Sequence, residues 1–441
     1  PKNIIKGDTF SELLDAKDLR KFERTTGILE RRYVDKNTTA SDLGYHAAKK
    51  IVDELDSKSE VKALLFISQT SDYKIPFTSN ILQDKLGLSN EILCLDINAG
   101  CAGFVQGLST AYALANSIDG KVLLIISETL SKILSPKDKI TTTLFGDGAA
   151  ALLIKKDVKI KEKTYFNFFS DGNNYDAIMI PDGGYKNPYS ESSLDWVEDS
   201  KGNKNKKIHL TMDGPRVFDF TLREIPKSIE KLFEKYNLDK KKVDALLLHQ
   251  SNKFIINQIA SKLGMSKEKI LINIDRFGNT SGVTIPLLMV TELGENKEYK
   301  NLLLSGYGSG LYMASTFVEM LKERADKRLF AIAGQTKNAK EAGLAIDDFN
   351  AYAGGNPIAA YNDVNLLAAA GKVSKVNDRY TKDPTAEAHN LLSFSEVQFI
   401  LAEAAVRGWI SSTSAQIYYE NGIKSNFQFY NTYAKGYEEY Y

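Results

Sequence analysis

The sequence predicts an α/β fold, and two observations carry that prediction. Between residue 1 and about residue 320, apolar runs that switch to small or polar residues alternate with segments of helical periodicity. The second observation is an internal duplication, because "KLGLS" (85–89) and "KLGMS" (262–266) each separate a predicted helix from an apolar run that ends in a glycine-containing turn. Two copies of one unit predict two similar halves that pack together.

The individual elements follow from these patterns. Nearly continuous apolar runs are typical of parallel strands buried on both faces, and five are present, at 62–71, 91–101, 121–131, 244–252 and 301–310. Helical spacing is clearest at 40–55 and 225–236. Ligand chemistry in such folds collects where parallel strands end. Those ends carry Cys101, His249, Asn252 and the glycines 306, 308 and 310.

Bulk composition excludes several classes of protein. The 441 residues include 57 Lys plus Arg and 56 Asp plus Glu, a balance that argues against a nucleic-acid or membrane-surface binder. The only cysteines are Cys94 and Cys101, which favours a reducing compartment over a disulfide scaffold. No apolar run reaches the ~18 residues of a transmembrane helix.

The duplication predicts that three polar residues converge in one cleft between the halves. It makes Gly100-Cys101 equivalent to Gly278-Asn279, and His249 ends the strand that precedes the second of these turns. Each residue alone has an ordinary explanation: a small buried thiol, a core histidine, a turn asparagine. The combination predicts a catalytic site.

Cys101 is the candidate nucleophile. It precedes a segment of helical spacing, and a helix N-terminus lowers the pKa of a thiol by favouring the thiolate. A thiolate is the form that accepts an acyl group. Cys94 lies within an apolar strand and is predicted to be a core residue.

Several motifs resemble those of 3-oxoacyl-ACP synthase III enzymes of the thiolase superfamily. They occur in order over residues 1–320: "ERTTGILERRYV" (23–34), "DINAGCAGF" (96–104), "TLFGDGAAALLI" (143–154), "MDGPRVFDF" (212–220), "LLHQSNKFI" (247–255), "RFGNTSG" (276–282) and "GYGSGL" (306–311). The resemblance implies a duplicated αβαβα layered fold with an N-terminal half at 1–155 and a C-terminal half at 156–322.

The resemblance also implies a mechanism. Cys101 takes an acyl group from a CoA or carrier-protein thioester, and the backbone N–H groups of Cys101 and Ser309 form the oxyanion hole. His249 and Asn279 then donate hydrogen bonds to the carbonyl of a malonyl thioester, normally carried by acyl carrier protein. These bonds stabilise the enolate that forms as carbon dioxide leaves, and the enolate attacks the acyl-cysteine. The product is a 3-oxoacyl-ACP of fatty-acid or specialised acyl-chain synthesis. The reaction uses no metal or redox cofactor.

Partners and substrate contacts follow from the same resemblance. It implies acyl carrier protein as a partner, a cytoplasmic homodimer, and an acyl pocket bounded by Ile75, Pro76 and Phe77. It further implies substrate contacts by Lys139 and Asn252.

Some positions depart from the family pattern. Lys21 and Thr25 stand where the family commonly has an aromatic residue and an arginine for the adenine of coenzyme A, and Phe254 replaces another frequent arginine. A carrier-protein donor, a specialised acyl chain or a non-decarboxylating acyl transfer is therefore an alternative. The strand that usually precedes "PKN" is also missing, which suggests a truncated start.

The sequence pattern changes in the segment 323–441, where apolar strand-like runs no longer alternate with helical segments. "ADKRLFAIAG" (325–334) and "LLSFSEVQFILAEAAVRGWI" (391–410) resemble SusD/RagB-type outer-membrane glycan-binding lipoproteins, which implies a mainly helical fragment and an oligosaccharide as its ligand. The two compartments are incompatible, so we expect an artificial or mis-joined chain. The competing functions are a glycan-binding module and a catalytically inactive thiolase-fold protein.

Overall fold

The computed structural model describes residues 1–156, 163–293, 299–319, 401–402 and 414–429. The chain divides into two compact units, Pro1–Leu321 and Lys322–Tyr441. The predicted segments 325–334 and 391–400 lie outside the described residues, as do residues 403–410. No helix among the described residues combines the length and the apolar character needed to span a membrane.

The first half of unit 1 begins with a small antiparallel pair, β1 (Asn3–Lys6) and β2 (Glu30–Tyr33). Its main sheet has the order β4-β3-β5-β6. These strands are β3 (Val61–Ile67), β4 (Leu93–Ile97), β5 (Lys121–Glu128) and β6 (Gly148–Lys155). The helices of this half are α1 (Ala16–Thr26), α2 (Ala40–Asp53), α3 (Thr78–Lys85) and α4 (Gly103–Ser117).

The second half repeats this plan. Its main sheet has the order β12-β13-β14-β7. The strands of this half are β7 (Thr164–Ser170), β8 (Ile178–Met179), β9 (Val197–Glu198), β10 (Lys204–Asn205), β11 (Thr211–Met212), β12 (Ala245–Leu248), β13 (Asn301–Gly308) and β14 (Tyr312–Glu319). The helices are α5 (Gly214–Tyr236), α6 (Lys253–Lys262), α7 (Ile274–Phe277) and α8 (Thr284–Leu288), followed by a π-helical turn at Met289–Leu293.

Alternating side chains of the sheets build five layers. In β3, Leu65 and Ile67 join one core cluster with residues of α4 and of the second sheet, whereas Leu64 and Phe66 join another with residues of α2. In the second sheet, the opposite face packs on α5 and α6 through a third cluster that includes Leu246. The order is therefore helix, sheet, helix, sheet, helix, and the predicted αβαβα fold is confirmed.

All five predicted strands form, and their parallel pairing is confirmed. β3 runs parallel to β4 and β5, and β12 runs parallel to β13. The duplicated glycines end their helices as expected, because Gly87 and Gly264 have φ of 63° and 67°, the left-handed conformation that glycine adopts without strain.

One expected strand does not form. The second copy of the repeat predicts a strand near 270–275, but there only a single bridge joins Leu246 to Ile270. The N–H of Asn273 binds the Gln250 side chain at 3.2 Å, and the chain turns into α7 at Ile274. The backbone leaves the sheet early here, and this turn leads directly into the segment that carries Asn279.

The described part of unit 2 is short. It contains residues 401–402 and the helix α9 (Ala415–Phe429), in which Ile423 is buried.

Candidate active site

Cys101 lies at the junction between β4 and α4. The chain turns sharply there, because Gly103 N–H donates to the carbonyl of Gly100 at 2.7 Å. Two glycines of β13 approach the turn closely: a Cβ on Gly306 would lie 2.7 Å from the carbonyl oxygen of Cys101, and a Cβ on Gly308 would lie 2.9 Å from its Sγ. The thiol is thus held between the two halves of unit 1 and is 9% exposed.

His249 follows β12 and is buried, with 2% exposure. Its N–H donates to the carbonyl of Ser305 at 2.9 Å, which keeps the residue in line with the strand. The ring Nδ1 lies 2.8 Å from Oγ1 of Thr284. The Tyr307 ring meets the imidazole edge to face, with the centroids 5.2 Å apart. Both contacts fix the plane of the imidazole.

Asn279 is held by its backbone and by one side-chain atom. Its N–H donates to the Leu144 carbonyl at 3.0 Å, and its own carbonyl accepts from Gly146 N–H at 2.9 Å. Oδ1 accepts from the N–H of Ser281 at 2.9 Å. Because Oδ1 of the side-chain amide already accepts this hydrogen bond, the Nδ2 group can donate a hydrogen bond to a reactant.

The segment 279–284 joins these residues into one site. Ser281 Oγ lies 3.6 Å from Sγ of Cys101, and Ser281 has a left-handed φ of 53°. A Cβ on Gly282 would lie 2.6 Å from the carbonyl oxygen of Gly100, so this segment presses directly against the nucleophile turn. The turn at Gly100-Cys101 and the segment that follows Gly278-Asn279 are therefore in contact, as predicted, and His249 binds the same segment through Thr284.

The protonation states differ from the prediction. Burial raises the pKa of the Cys101 thiol to about 12, although the Ser281 hydroxyl acts in the opposite direction. Burial lowers the pKa of His249 to about 3, and the Ser281 carbonyl opposes that shift. The expected low pKa of Cys101 is wrong for this structure, because loss of water around the buried thiolate outweighs the helix N-terminus. Burial therefore favours the neutral form of both the Cys101 thiol and the His249 imidazole.

Three further residues support the site but did not stand out in the sequence. Ser281 and Thr284 follow Asn279 at short spacing, and both are buried. Gln69, after β3, donates from Nε2 to Oγ of Ser309 at 2.9 Å and so links the predicted oxyanion segment to the other half. The available sequence signals were that Ser281 lies within "RFGNTSG" (276–282) and that Thr284 follows this motif by two residues.

The predicted substrate contacts occupy different places. Pro76 and Phe77 line a cavity of about 550 Å³ together with Gln69, Asn98 and other residues, whereas Ile75 is 79% exposed. Asn252 caps α6, with Oδ1 accepting from the N–H of Ile255 at 3.1 Å. Lys139 is exposed, and its Nζ donates to the carbonyl of Lys201 at 3.3 Å.

Comparison with known proteins decides the family. Two family models match this part of the chain, 3-oxoacyl-[acyl-carrier-protein] synthase III at residues 95–172 and the C-terminal domain of the same enzyme at 233–320. A β-ketoacyl-[acyl-carrier-protein] synthase III of Clostridium perfringens is 32% identical over 327 residues, which cover 73% of this chain and 96% of that protein. The chain belongs to the 3-oxoacyl-ACP synthase III family.

Solved structures of the synthase III family give the same result. One is similar with a TM-score of 0.69 and 31% identity, over 73% of this chain and 96% of that one. The synthase of Burkholderia xenovorans LB400 is similar with a TM-score of 0.67 and 34% identity, over 73% and 91% of the two chains. The resemblance predicted from the motifs is confirmed, and this synthase III homologue is an acyltransferase with a thiolase-like fold.

The remaining part of the chain matches another family. A model described as "starch-binding associating with outer membrane" matches residues 288–441, so the predicted SusD-like resemblance is confirmed. The match begins inside the synthase, because residues 301–319 form β13 and β14 of its second sheet.

Proposed function

We propose that this synthase III homologue condenses an acyl thioester with a malonyl thioester, and that Cys101 carries the acyl group. The observation that supports this most directly is the meeting of Cys101, His249 and Asn279 through the segment 279–284 of one buried site. In the first half-reaction the Cys101 sulfur attacks the donor thioester, the donor thiol leaves with the proton of Cys101, and a thioester forms on the enzyme.

The second half-reaction uses Asn279 and His249. The malonyl carboxylate leaves as carbon dioxide, and its electron pair forms an enolate of the malonyl thioester. The Nδ2 group of Asn279 donates a hydrogen bond to the enolate oxygen. His249 also donates to it, after its Nε2 has taken a proton from solvent. The negative charge of the malonyl carboxylate and of the enolate favours this protonation of His249. Carbon–carbon bond formation expels the Cys101 thiolate, which recovers a proton from Nε2.

The oxyanion of each step is assigned to the backbone N–H groups of Cys101 and Ser309. Support comes from the close approach of Gly306 and Gly308 to Cys101 and from the Gln69–Ser309 hydrogen bond, which hold the two chain segments against each other. Fixed donors of this kind stabilise charge that develops only during the reaction. The scheme uses no metal or redox cofactor.

A homodimer would complete the site. Among the described strands, β4 is the outer strand of its sheet, and Leu93 on it is 45% exposed, so a second copy could cover this edge. Ile75 and Phe77 are exposed apolar residues beside the cavity of about 550 Å³, as expected of a wall shared between subunits. We assign Ile75, Pro76 and Phe77 to the acyl pocket, and Lys139 and Asn252 to binding of the donor.

The two parts of the chain receive separate assignments. For residues 1–321 we propose malonyl acyl carrier protein as the extender substrate and the cytoplasm as the location. For the segment after residue 321 we propose an origin in an outer-membrane oligosaccharide-binding protein. Binding of starch oligosaccharides to the full chain, measured by calorimetry, tests the second assignment, and absence of any heat above dilution would contradict it.

The decisive experiment is intact-protein mass spectrometry. The full chain and its Cys101→Ala variant are mixed with a panel of acyl-CoA and acyl-carrier-protein thioesters, and malonyl carrier protein is then added. We expect one acyl adduct that the variant lacks, followed by its loss as a 3-oxoacyl product forms. An adduct that persists with malonyl carrier protein would indicate simple acyl transfer, and no adduct from any donor would refute an active synthase.

A further inference from the structure

The hydroxyl of Thr284 makes two hydrogen bonds, and together they determine where its single proton lies. Oγ1 lies 2.9 Å from the carbonyl oxygen of Ser281, which can only accept. The hydroxyl therefore donates to that carbonyl. Toward Nδ1 of His249, at 2.8 Å, the same oxygen has only lone pairs to offer.

A proton must consequently reside on Nδ1 of His249. In a neutral imidazole only one ring nitrogen carries hydrogen, so Nε2 then bears a lone pair. Thr284 and the Ser281 carbonyl are both buried, at 1% exposure for each residue, and no water is needed to satisfy this chain of bonds. The arrangement places an acceptor, not a donor, at Nε2 of the resting imidazole.

We propose that Thr284 is a positioning residue that fixes the Nδ1–H tautomer of His249, so that Nε2 accepts the proton of Cys101 during acylation. The S–H bond of Cys101 breaks as its sulfur bonds to the acyl carbon, and the proton passes to Nε2. The donor's carbon–sulfur bond then breaks, and its thiolate takes that proton and leaves as a thiol. The role of His249 in proton transfer rests on the proposed function, whereas the assignment of its tautomer rests on the hydrogen bonds of Thr284 alone.

The buried surroundings explain why this acceptor is needed. In the part of the chain that the structure describes, the Cys101 thiol makes its side-chain hydrogen-bond contact with Ser281 Oγ, which is not a base, and the charge of Glu128 raises the pKa of the thiol further. Within the described residues, Tyr307 is the titratable side chain whose ring contacts the imidazole, and its hydroxyl is itself engaged by Ser251 Oγ at 3.1 Å and by the carbonyl of His249 at 3.2 Å. The imidazole is the base that these contacts leave available.

The first test is nitrogen-15 NMR of the full chain with ring-labelled histidine, the His249 signals being assigned by their loss in His249→Asn. The chain has only 4 histidines. At neutral pH we expect hydrogen on Nδ1 and none on Nε2. Thr284→Val should give a mixture of tautomers, and Thr284→Ser should restore the single one. A proton on Nε2 in the unmodified protein, or an unchanged tautomer in Thr284→Val, would overturn the proposal.

The second test measures the rate of Cys101 labelling by acyl thioesters and, independently of any donor, by iodoacetamide. Thr284→Val should slow both by roughly 10²-fold, the lower range for loss of a general base, and Thr284→Ser should recover most of the rate. The matched control is Thr280→Val, because Thr280 is also buried in this segment and its Oγ1 has no hydrogen-bond partner in the described part of the chain. Equal slowing in the control would contradict a specific role for Thr284. If no donor acylates the unmodified protein, the proposed function fails while the tautomer result still decides the role of Thr284.

Discussion

Gly308 is the position where the smallest change should have the largest effect on the nucleophile. Its φ of 169° is extended backbone. The methyl group added by alanine would lie 2.7 Å from Cβ and 2.9 Å from Sγ of Cys101. The perturbation in Gly308→Ala is therefore steric and is directed at the reacting group.

The size of the effect follows from those distances. Non-bonded carbon atoms prefer separations of about 3.5–4.0 Å, so Cys101 or β13 has to move by about 1 Å. Misplacement of a reacting group by that amount lowers rates by roughly 10²-fold. Overpacking of a tight interior also destabilises by about 1–3 kcal/mol, which leaves a large two-unit chain folded at room temperature.

The assay is the rate of acyl-adduct formation on the full chain, followed by intact mass, with thermal unfolding measured in parallel. Gly214→Ala is the matched control, because nothing lies within 4 Å of its added methyl group. In a Cys101→Gly background, Gly308→Ala should lose much of its effect on stability, since the atoms that it meets are gone. Gly308→Ala that acylates at the unmodified rate would refute the close contact between β13 and the nucleophile.

Four further predictions address other parts of the site. Asn279→Asp should keep acylation but lower condensation by roughly 10²–10³-fold, because a carboxylate repels the enolate; equal loss of both half-reactions, measured by mass spectrometry, would contradict this. Gln69→Ala should slow acylation by roughly fivefold, the equivalent of about 1 kcal/mol for one hydrogen bond to Ser309, and an unchanged rate would rule out the link. Burial raises the pKa of Glu128 to about 8, so between pH 4.5 and 8 the folded state holds a proton that the unfolded state has lost. The free energy of unfolding should therefore fall as pH rises through this range, by at most ~1.4 kcal/mol per pH unit. Glu128→Gln should flatten that slope in denaturant titrations. Leu93→Arg on the edge strand β4 should convert a dimer into monomers in sedimentation, and an unaltered mass would place the subunit contact elsewhere.

The arrangement of strands could be predicted because the hydrophobic pattern of each segment indicates both its secondary structure and its burial. β3, β5 and β12 are mostly apolar, which is typical of strands covered on both faces, and the two KLG motifs indicate that the halves repeat. The strand expected near 270–275 could not be excluded from its apolar residues, because the early exit from the sheet depends on Gln250, which is distant in sequence.

The site was predictable in its residues but not in its proton chemistry. Cys101, His249 and Asn279 follow from the duplicated turns. Their protonation depends on how completely the surroundings exclude water and on which hydroxyl faces which nitrogen, and neither is encoded in local spacing. The helix N-terminus argued for a thiolate, and burial in the folded protein reverses that conclusion.

The position of β14 in its sheet has a consequence for synthesis of the chain. β14 lies between β13 and β7, so β7 has no neighbour in the finished sheet until residues 312–319 have been made, about 140 residues later. At ribosomal rates of about 5–20 residues per second, the aromatic face of β7 waits roughly 7–30 s for its partner. During that interval Phe166 and Phe168 stand on an unpaired edge, and we expect the nascent chain to be most prone to aggregation until β14 emerges.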